Sequence, residues 1–301
     1  MGQYKFLDRR VGPAPEPSKP TPEAGKPEAD KPKQSDKKKF KNYGFIMEEQ
    51  SNPKDHVLGG VFDKSGPVLV EDGQWLKYLP IKEYQAKFTE TNSCMSFAWL
   101  NVMEIMNLRL FGKEVNYSDR YLAIASGTGP NGNTPTKVCE TQRSISGAIP
   151  EEMLPFSEDI DSQQKYLSPN PLDKKYYDEG RKWLEKYEAR HYWVPTDAMS
   201  LMLALKKSPL VVSVVAWQEN NGIYIRPPGY NDNHATVLFG YVENEYWLIW
   251  DSYPDTDGEY LKKLSWDFKF GIAKGANLAI LEKESWWKRW WKNLLKGLNL
   301  I

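Results

Sequence analysis

The chain has 301 residues, with 40 Lys and Arg set against 40 Asp and Glu for a formal net charge of zero, which gives no support to a general nucleic-acid surface. Two cysteines cannot build a disulfide framework, and no apolar run reaches the eighteen or so residues of a membrane span or forms a secretory leader in the first forty positions. Such a length allows one large domain or two small ones, and both thiols can stay reduced in a cytoplasm or in a particle assembled there.

Residues 1–11 are a short mixed segment able to dock on a partner. Gly2 invites a myristoylation reading, but Phe6 stands where that motif wants Ser or Thr. From Gly12 to Lys39 the chain repeats Pro, Glu, Lys and Ala without a bulky apolar residue, and its prolines favour an extended tether with no core of its own. It reads equally as a spacer to an assembly and as a tolerated disordered arm. Residues 40–80 read as an extended wrapping segment. Val57 to Phe62 and Val68 to Val70 are short apolar stretches, Gly66-Pro67 and Asp72-Gly73 mark turns, and Trp75, Tyr78, Leu79 and Ile81 lay the chain onto the folded body.

The main domain is expected over 81–282. Apolar residues at 94, 95, 98, 99, 102, 103 and 106 follow the three-and-four spacing of a helix with one buried face. With Asn92 or Ser93 as cap, Cys94 falls in the first turn, where the helix N-terminus lowers a thiol pKa from its reference of about 8.5. Cys94 is therefore a candidate nucleophile, the alternative being an ordinary core cysteine. Asn116 and Ser118 can cap a helix through Ala123, a loop rich in Gly and Asn follows over 126–134, and Pro135 to Ile145 suit a helix bearing a buried Cys139. Asp178 to Tyr192 reads as a charged amphipathic helix, and Thr196 can cap another through Leu205. Short β-rich runs at 211–215, 222–225, 234–241, 246–250 and 276–281 indicate a sheet or partial barrel. With the cysteines far apart, His56 and His191 fit no zinc pattern.

Asn92-Ser93-Cys94-Met95-Ser96-Phe97-Ala98 resembles the Gly-Ser-Cys-x-x-Phe-Ala segment of the papain-like cysteine peptidases, with Asn92 in place of the glycine. His234-Ala235-Thr236-Val237-Leu238-Phe239-Gly240-Tyr241 resembles that family's histidine strand. Tyr246-Trp247-Leu248-Ile249-Trp250-Asp251-Ser252-Tyr253 resembles its Trp-rich strand and third residue, and Gly147 to Phe156 its Gly-x-x-Pro-Glu-x-x-x-Pro-Tyr segment. The spacing from Cys94 to His234 lies within the interval of about 130–150 residues for papain and cathepsins. The resemblance covers about residues 75–280. It implies an α+β, two-lobed papain-like fold, with a helical lobe and an antiparallel sheet or partial-barrel lobe. It also implies peptide-bond hydrolysis by Cys94, His234 and Asp251 with no cofactor or metal.

The resemblance further implies that Gln85 supplies the oxyanion donor, although it stands nine residues before Cys94 where the family has six and position 88 is Phe. Candidate substrate-binding residues are Gly132, Asn133, Ser213, Asn233 and Tyr253, the last in place of the family's shielding Trp. Asp251 stands where Asn is usual, and the first cysteine of a common disulfide is missing, in keeping with a reducing compartment.

At the C-terminal end, Trp286, Trp287, Trp290, Trp291, Leu294, Leu295, Leu298 and Ile301 fall on one side of a helical wheel. Lys288, Arg289, Lys292 and Lys296 fall on the other. Residues 283–301 thus form an expected amphipathic helix, suited to an anionic membrane surface or to packing on protein. The sequence-level expectation is a cysteine peptidase acting on polypeptide in a producing cell or virion, in a divergent form resembling those of bacteriophages, with the arm meeting the particle. The alternative is an inactive papain-like structural or interaction protein.

Overall fold

The architecture grows from a helix enclosed by a sheet. The computed structural model describes residues 41–48, 56–60 and 65–281. The tether at 1–39 and the Trp/Lys-rich tail at 283–301 lie outside the described residues. Among the described residues no helix is long and apolar enough to cross a membrane.

Helix α1 spans Cys94–Phe111 and ends at Gly112, whose left-handed φ of 62° lets its N–H reach the Leu108 carbonyl. The spacing predicts one buried face, but every residue from Cys94 to Asn107 is buried. The reason is position: α1 packs against the sheet on one side and against α2 (Asp119–Ala125) and α3 (Pro135–Thr141) on the other. Two of its buried polar residues tie it to neighbouring backbone. Asn107 Nδ2 donates to the Met103 carbonyl at 2.9 Å, and Glu104 accepts the Tyr117 N–H at 2.7 Å. The Ser118 hydroxyl caps α2 by accepting the Tyr121 N–H, and α3 opens with Pro135 and continues through a π turn to Gly147.

The remaining helices are α4 (Gln163–Tyr166), α5 (Lys174–Lys186) and α6 (Ala198–Leu205). Two boundaries differ from the sequence reading. The α6 cap is Asp197, which takes the Ser200 N–H at 3.0 Å, rather than Thr196. The helix expected through Tyr192 stops at Lys186, and Tyr187–Trp193 is strand β1. Its inward Tyr187 and Ala189 follow a period of two, and pairing with β8 (Ala273–Ile280) outweighs continued helix.

The other strands are β2 (Leu210–Val214), β3 (Glu219–Asn220), β4 (Ile223–Tyr224), β5 (His234–Val242), β6 (Tyr246–Trp250) and β7 (Leu261–Ser265). They form one sheet in the order β1-β8-β2-β5-β6-β7-β4-β3, antiparallel except between β4 and β7. Register brings the site together: Val214 faces His234 at the start of β5, and Val237 faces Trp250 at the end of β6. Asp251 thus emerges beside His234. The chain before α1 is bound to this body by Trp75, which is fully buried with its indole N–H on the Leu205 carbonyl at 2.7 Å and its backbone N–H on Phe239.

Four carboxyls gather where α1, α2 and the residues leading to Gln85 meet: Glu83, Glu104, Asp119 and Glu151. Burial raises Glu83 and Glu151 to about 7 and holds Glu104 and Asp119 well above the usual carboxylate range. A carboxyl with a raised folded-state pKa binds its proton on folding. Its stabilisation is complete below the unfolded pKa of about 4.3 and is lost as pH rises through about 7. The melting temperature of the chain should therefore fall between pH 5 and pH 8. Glu151→Gln keeps an oxygen for the Phe156 N–H and should melt a few degrees above the parent at pH 8 but not at pH 5. A variant that melts lower at both pH values would contradict this account.

Candidate active site

His234 opens β5 with its side chain fully buried, and its Nε2 lies 2.6 Å from Asp251 Oδ1. The same carboxylate oxygen accepts the Ser252 N–H at 2.8 Å. This fixes the ring and leaves Nδ1 without a hydrogen-bond partner among the described residues. Cys94 sits at the N-terminus of α1, where the backbone N–H of Ala235, next to His234, favours the thiolate. Tyr43, Trp217 and Tyr253 pack edge-on around the imidazole, with ring centroids at 5.3, 5.8 and 5.4 Å.

Gln85 is drawn to the same place. Its backbone N–H bonds to the Ser252 carbonyl, its Oε1 accepts the Ser252 hydroxyl at 3.1 Å, and its Nε2 donates to the Tyr43 carbonyl at 2.9 Å. The offset from Cys94 is absorbed by turns over 86–92, with Asn92 at a left-handed φ of 52°. Glu90 holds those turns. Its carboxylate accepts the Asn92 N–H at 3.1 Å, the Gln85 amide at 3.2 Å and the Tyr253 hydroxyl at 2.7 Å, and pairs with Lys41 at 2.7 Å. Burial works against the Glu90 charge, but the Lys41 and Tyr253 hydrogen bonds outweigh it and hold its pKa below the usual value.

Residues 41–48 lie across this site as a strap. The Tyr43 N–H bonds to the Asn233 carbonyl at 2.9 Å, the Asn133 N–H to Gly44 O at 3.0 Å, and the Ile46 N–H to Asn133 O at 3.1 Å. Phe45 and Asn133 therefore form a parallel bridge. Asn233 Nδ2 also donates to the Lys41 carbonyl at 2.6 Å, and Glu48 accepts the Thr136 N–H at 2.7 Å. The approach is so close that a Cβ on Gly44 would lie 1.9 Å from the Asn92 carbonyl, and one on Gly132 would lie 1.8 Å from Gly44 O.

Cys94 itself is 0% exposed. Burial pushes its thiol pKa up, and the charges of Glu90 and Asp251 add to the effect. The sequence reading that the helix N-terminus lowers this pKa is thus reversed, because desolvation of the thiolate outweighs the helix end. Cys139 is also buried, with its thiol pushed up to about 12 by burial.

Of the expected substrate residues, Gly132, Asn133, Asn233 and Tyr253 all meet the strap or the imidazole. The amide side chain of Asn133 instead turns inward to Ser126 and Thr128. Ser213 requires a correction. Its hydroxyl is buried on the Asp232 carboxylate and accepts the Ile272 N–H at 2.9 Å, so it joins strands rather than lining the cleft. Sequence reasoning missed Tyr43, Glu90 and Lys262. The last is a buried lysine 2.9 Å from Asp251 Oδ2, and its signal was the alternation in β7 that turns Lys262 and Leu264 to one face.

In the intact chain both thiols should react slowly with small alkylators near neutral pH. Gly44→Ala forces a Cβ into the Asn92 carbonyl at a φ of +102°. It should displace the strap and raise Cys94 alkylation at least tenfold with Cys139 unchanged, as read by peptide mass mapping. Equal acceleration of both thiols would mean general unfolding, and no change would mean that the strap does not cover Cys94.

No protein-family model and no curated protein sequence matches the chain. Solved structures do. Procathepsin L 3 from the larval midgut of Tenebrio molitor aligns at 16% identity over 71% of each chain, with a TM-score of 0.51. The cysteine protease CMS1MS2 of Carica candamarcensis, solved in complex with E-64, aligns at 16% identity over 68% of this chain and 96% of its own, with a TM-score of 0.52. The proform of the ragweed pollen cysteine protease Amb a 11 aligns at 20% identity with a TM-score of 0.49, over 68% of this chain; the chain spans 64% of that protein's length. The helical layer around α1 and its antiparallel-dominated sheet are therefore those of the α+β papain-like cysteine-protease fold.

Proposed function

We propose that this chain is a cysteine peptidase that hydrolyses polypeptide through Cys94, His234, Asp251 and Gln85, and that residues 41–48 act as a plug holding it latent. The observation that carries the reading is Tyr43, whose carbonyl accepts the Gln85 amide while its ring packs on the imidazole of the buried His234–Asp251 pair. A peptide carbonyl at that point is where an oxyanion donor has to act.

With the plug withdrawn, water reaches the thiol and the Cys94 proton passes to His234 Nδ1. The thiolate adds to the substrate carbonyl carbon, and the electron pair moved to oxygen is stabilised by the Gln85 amide and the Cys94 backbone N–H. Collapse expels the amine, which takes the proton from Nδ1. A water molecule then gives a proton to the same nitrogen, attacks the acyl-enzyme and releases the acid with the thiol restored. Asp251 keeps the ring oriented throughout. Backbone edges at Asn133 and Asn233, already paired with the plug, are the edges an extended substrate would use.

The reading accounts for the raised Cys94 pKa as a property of the closed form. An inactive scaffold would share the fold but has no use for a side-chain amide aimed at a carbonyl beside a cysteine. The anionic-membrane partner of residues 286–301 and the particle partner of the N-terminal arm remain part of this proposal on their sequence patterns alone.

Labelling of the Gly44→Ala chain with an electrophilic peptide tests the reading. Adduct should form on Cys94, disappear in a C94A background and slow at least about a hundredfold with H234A, the scale of lost general-base assistance. Added to the Gly44→Ala chain, in which the strap is already displaced, Q85A should reduce peptide hydrolysis by roughly tenfold to a thousandfold while leaving small-alkylator labelling nearly intact. Labelling that ignores H234A, in a chain that hydrolyses no peptide, would favour the inactive scaffold. Cleavage of the intact chain between Tyr43 and Gly44 would make the strap a substrate rather than a plug.

A further inference from the structure

Asp251 occupies a place where a neutral amide would serve to orient the imidazole, and a fully buried carboxylate there needs a counter-charge. The structure supplies one. Lys262 on β7 is 2% exposed, with Nζ 2.9 Å from Asp251 Oδ2 and donating to the Tyr253 carbonyl. Its ammonium also lies over the rings of Trp217, at 5.6 Å, and Tyr224, at 6.0 Å. The two carboxylate oxygens are thus divided: Oδ1 serves His234 and the Ser252 N–H, and Oδ2 serves Lys262.

Resting on the peptidase reading above, we propose that Lys262 is a positioning residue of the catalytic site. It locks Asp251 in an ammonium–carboxylate pair, so that His234 meets a fixed acceptor with nearly cancelled charge rather than a bare buried anion. Burial opposes the Asp251 carboxylate, while the charges of His234 and Lys262 outweigh it and keep its pKa below the usual value.

The consequence concerns proton transfer. A bare Asp251 anion would hold a proton on His234 more firmly than a charge-matched one, and it would also repel a thiolate at Cys94. With Lys262 present, the Asp251–Lys262 unit carries no net charge, and the ring faces a neutral pair. The other titratable groups facing this region are Cys94 on α1, Glu90 in the turns before it, Lys41 and Tyr43 on the strap, Tyr253 after β6 and Tyr224 on β4. Glu90 is already matched by Lys41 at 2.7 Å, which leaves Lys262 as the cation on Asp251.

The test is the titration of His234 in the full chain carrying C94A, read by NMR on labelled histidine. The chain has 3 histidines, and H234A assigns the signal. K262M should raise the pH at which the imidazolium loses its proton by on the order of one to two pH units. D251N/K262M, which removes both charges, should return it to within a few tenths of the parent, and K262R should stay close to the parent. A folded K262M chain with lowered melting temperature but an unmoved titration would make Lys262 a structural ion-pair residue and overturn the proposal. If K262M does not fold, the double variant decides: titration close to the parent supports the proposal, and a displacement beyond one pH unit overturns it. Because the readout needs no turnover, it stands apart from failure of the peptidase reading, which would appear as absent Cys94 acylation in the chain without C94A.

Discussion

A buried imidazole held 2.6 Å from a buried carboxylate is the interaction on which this site depends. Neither group reaches water, so each must find its partners within the fold. The sheet meets that demand by register. β5 and β6 run antiparallel so that His234 begins one strand and Asp251 follows the end of the next, while β7 turns Lys262 inward to the second carboxylate oxygen. The enclosed α1 then sets Cys94, at its N-terminus, beside the backbone of Ala235, the residue after His234. A shift of one residue between β5 and β6 would turn the relevant side chains to opposite faces and dismantle the site.

The same burial governs the thiol. A thiolate needs either water or a matched cation, and Cys94 is fully buried. The strap is held by backbone pairing at Asn133 and Asn233, by the Gln85 amide, and at its ends by Lys41 with Glu90 and Glu48 with Thr136. Exposed ion pairs such as Lys41–Glu90 contribute little on their own. Most of the specificity therefore comes from the backbone bonds and from the glycine contacts at 44 and 132 that admit so close an approach.

Much of the fold was legible because its strands are short β-rich runs bounded by turns and its helices carry cap residues: the β5 and β6 runs, the Ser118 cap and the start of α1 at Cys94 are plain in the sequence. What was hidden depends on tertiary contact. The run from Tyr187 to Trp193 is charged enough to continue a helix and becomes a strand only because β8 offers an edge. The full enclosure of α1 could not be read from its spacing, since Asn101, Glu104 and Asn107 look like a solvent face until their neighbours are known. Ser213 lies in a β-rich run near the expected cleft, yet its hydroxyl is taken by Asp232 nineteen residues on. The complete burial of Cys94 leaves no local signal, which is why the thiol pKa moved against the helix-end expectation.

Pre-steady-state hydrolysis of an activated peptide ester by the full chain carrying Gly44→Ala tests the central claim most directly. The account predicts a burst of alcohol product approaching one equivalent per chain, followed by slower turnover, with both lost when C94A is added. Hydrolysis without a burst and at the same rate in the C94A chain would contradict it.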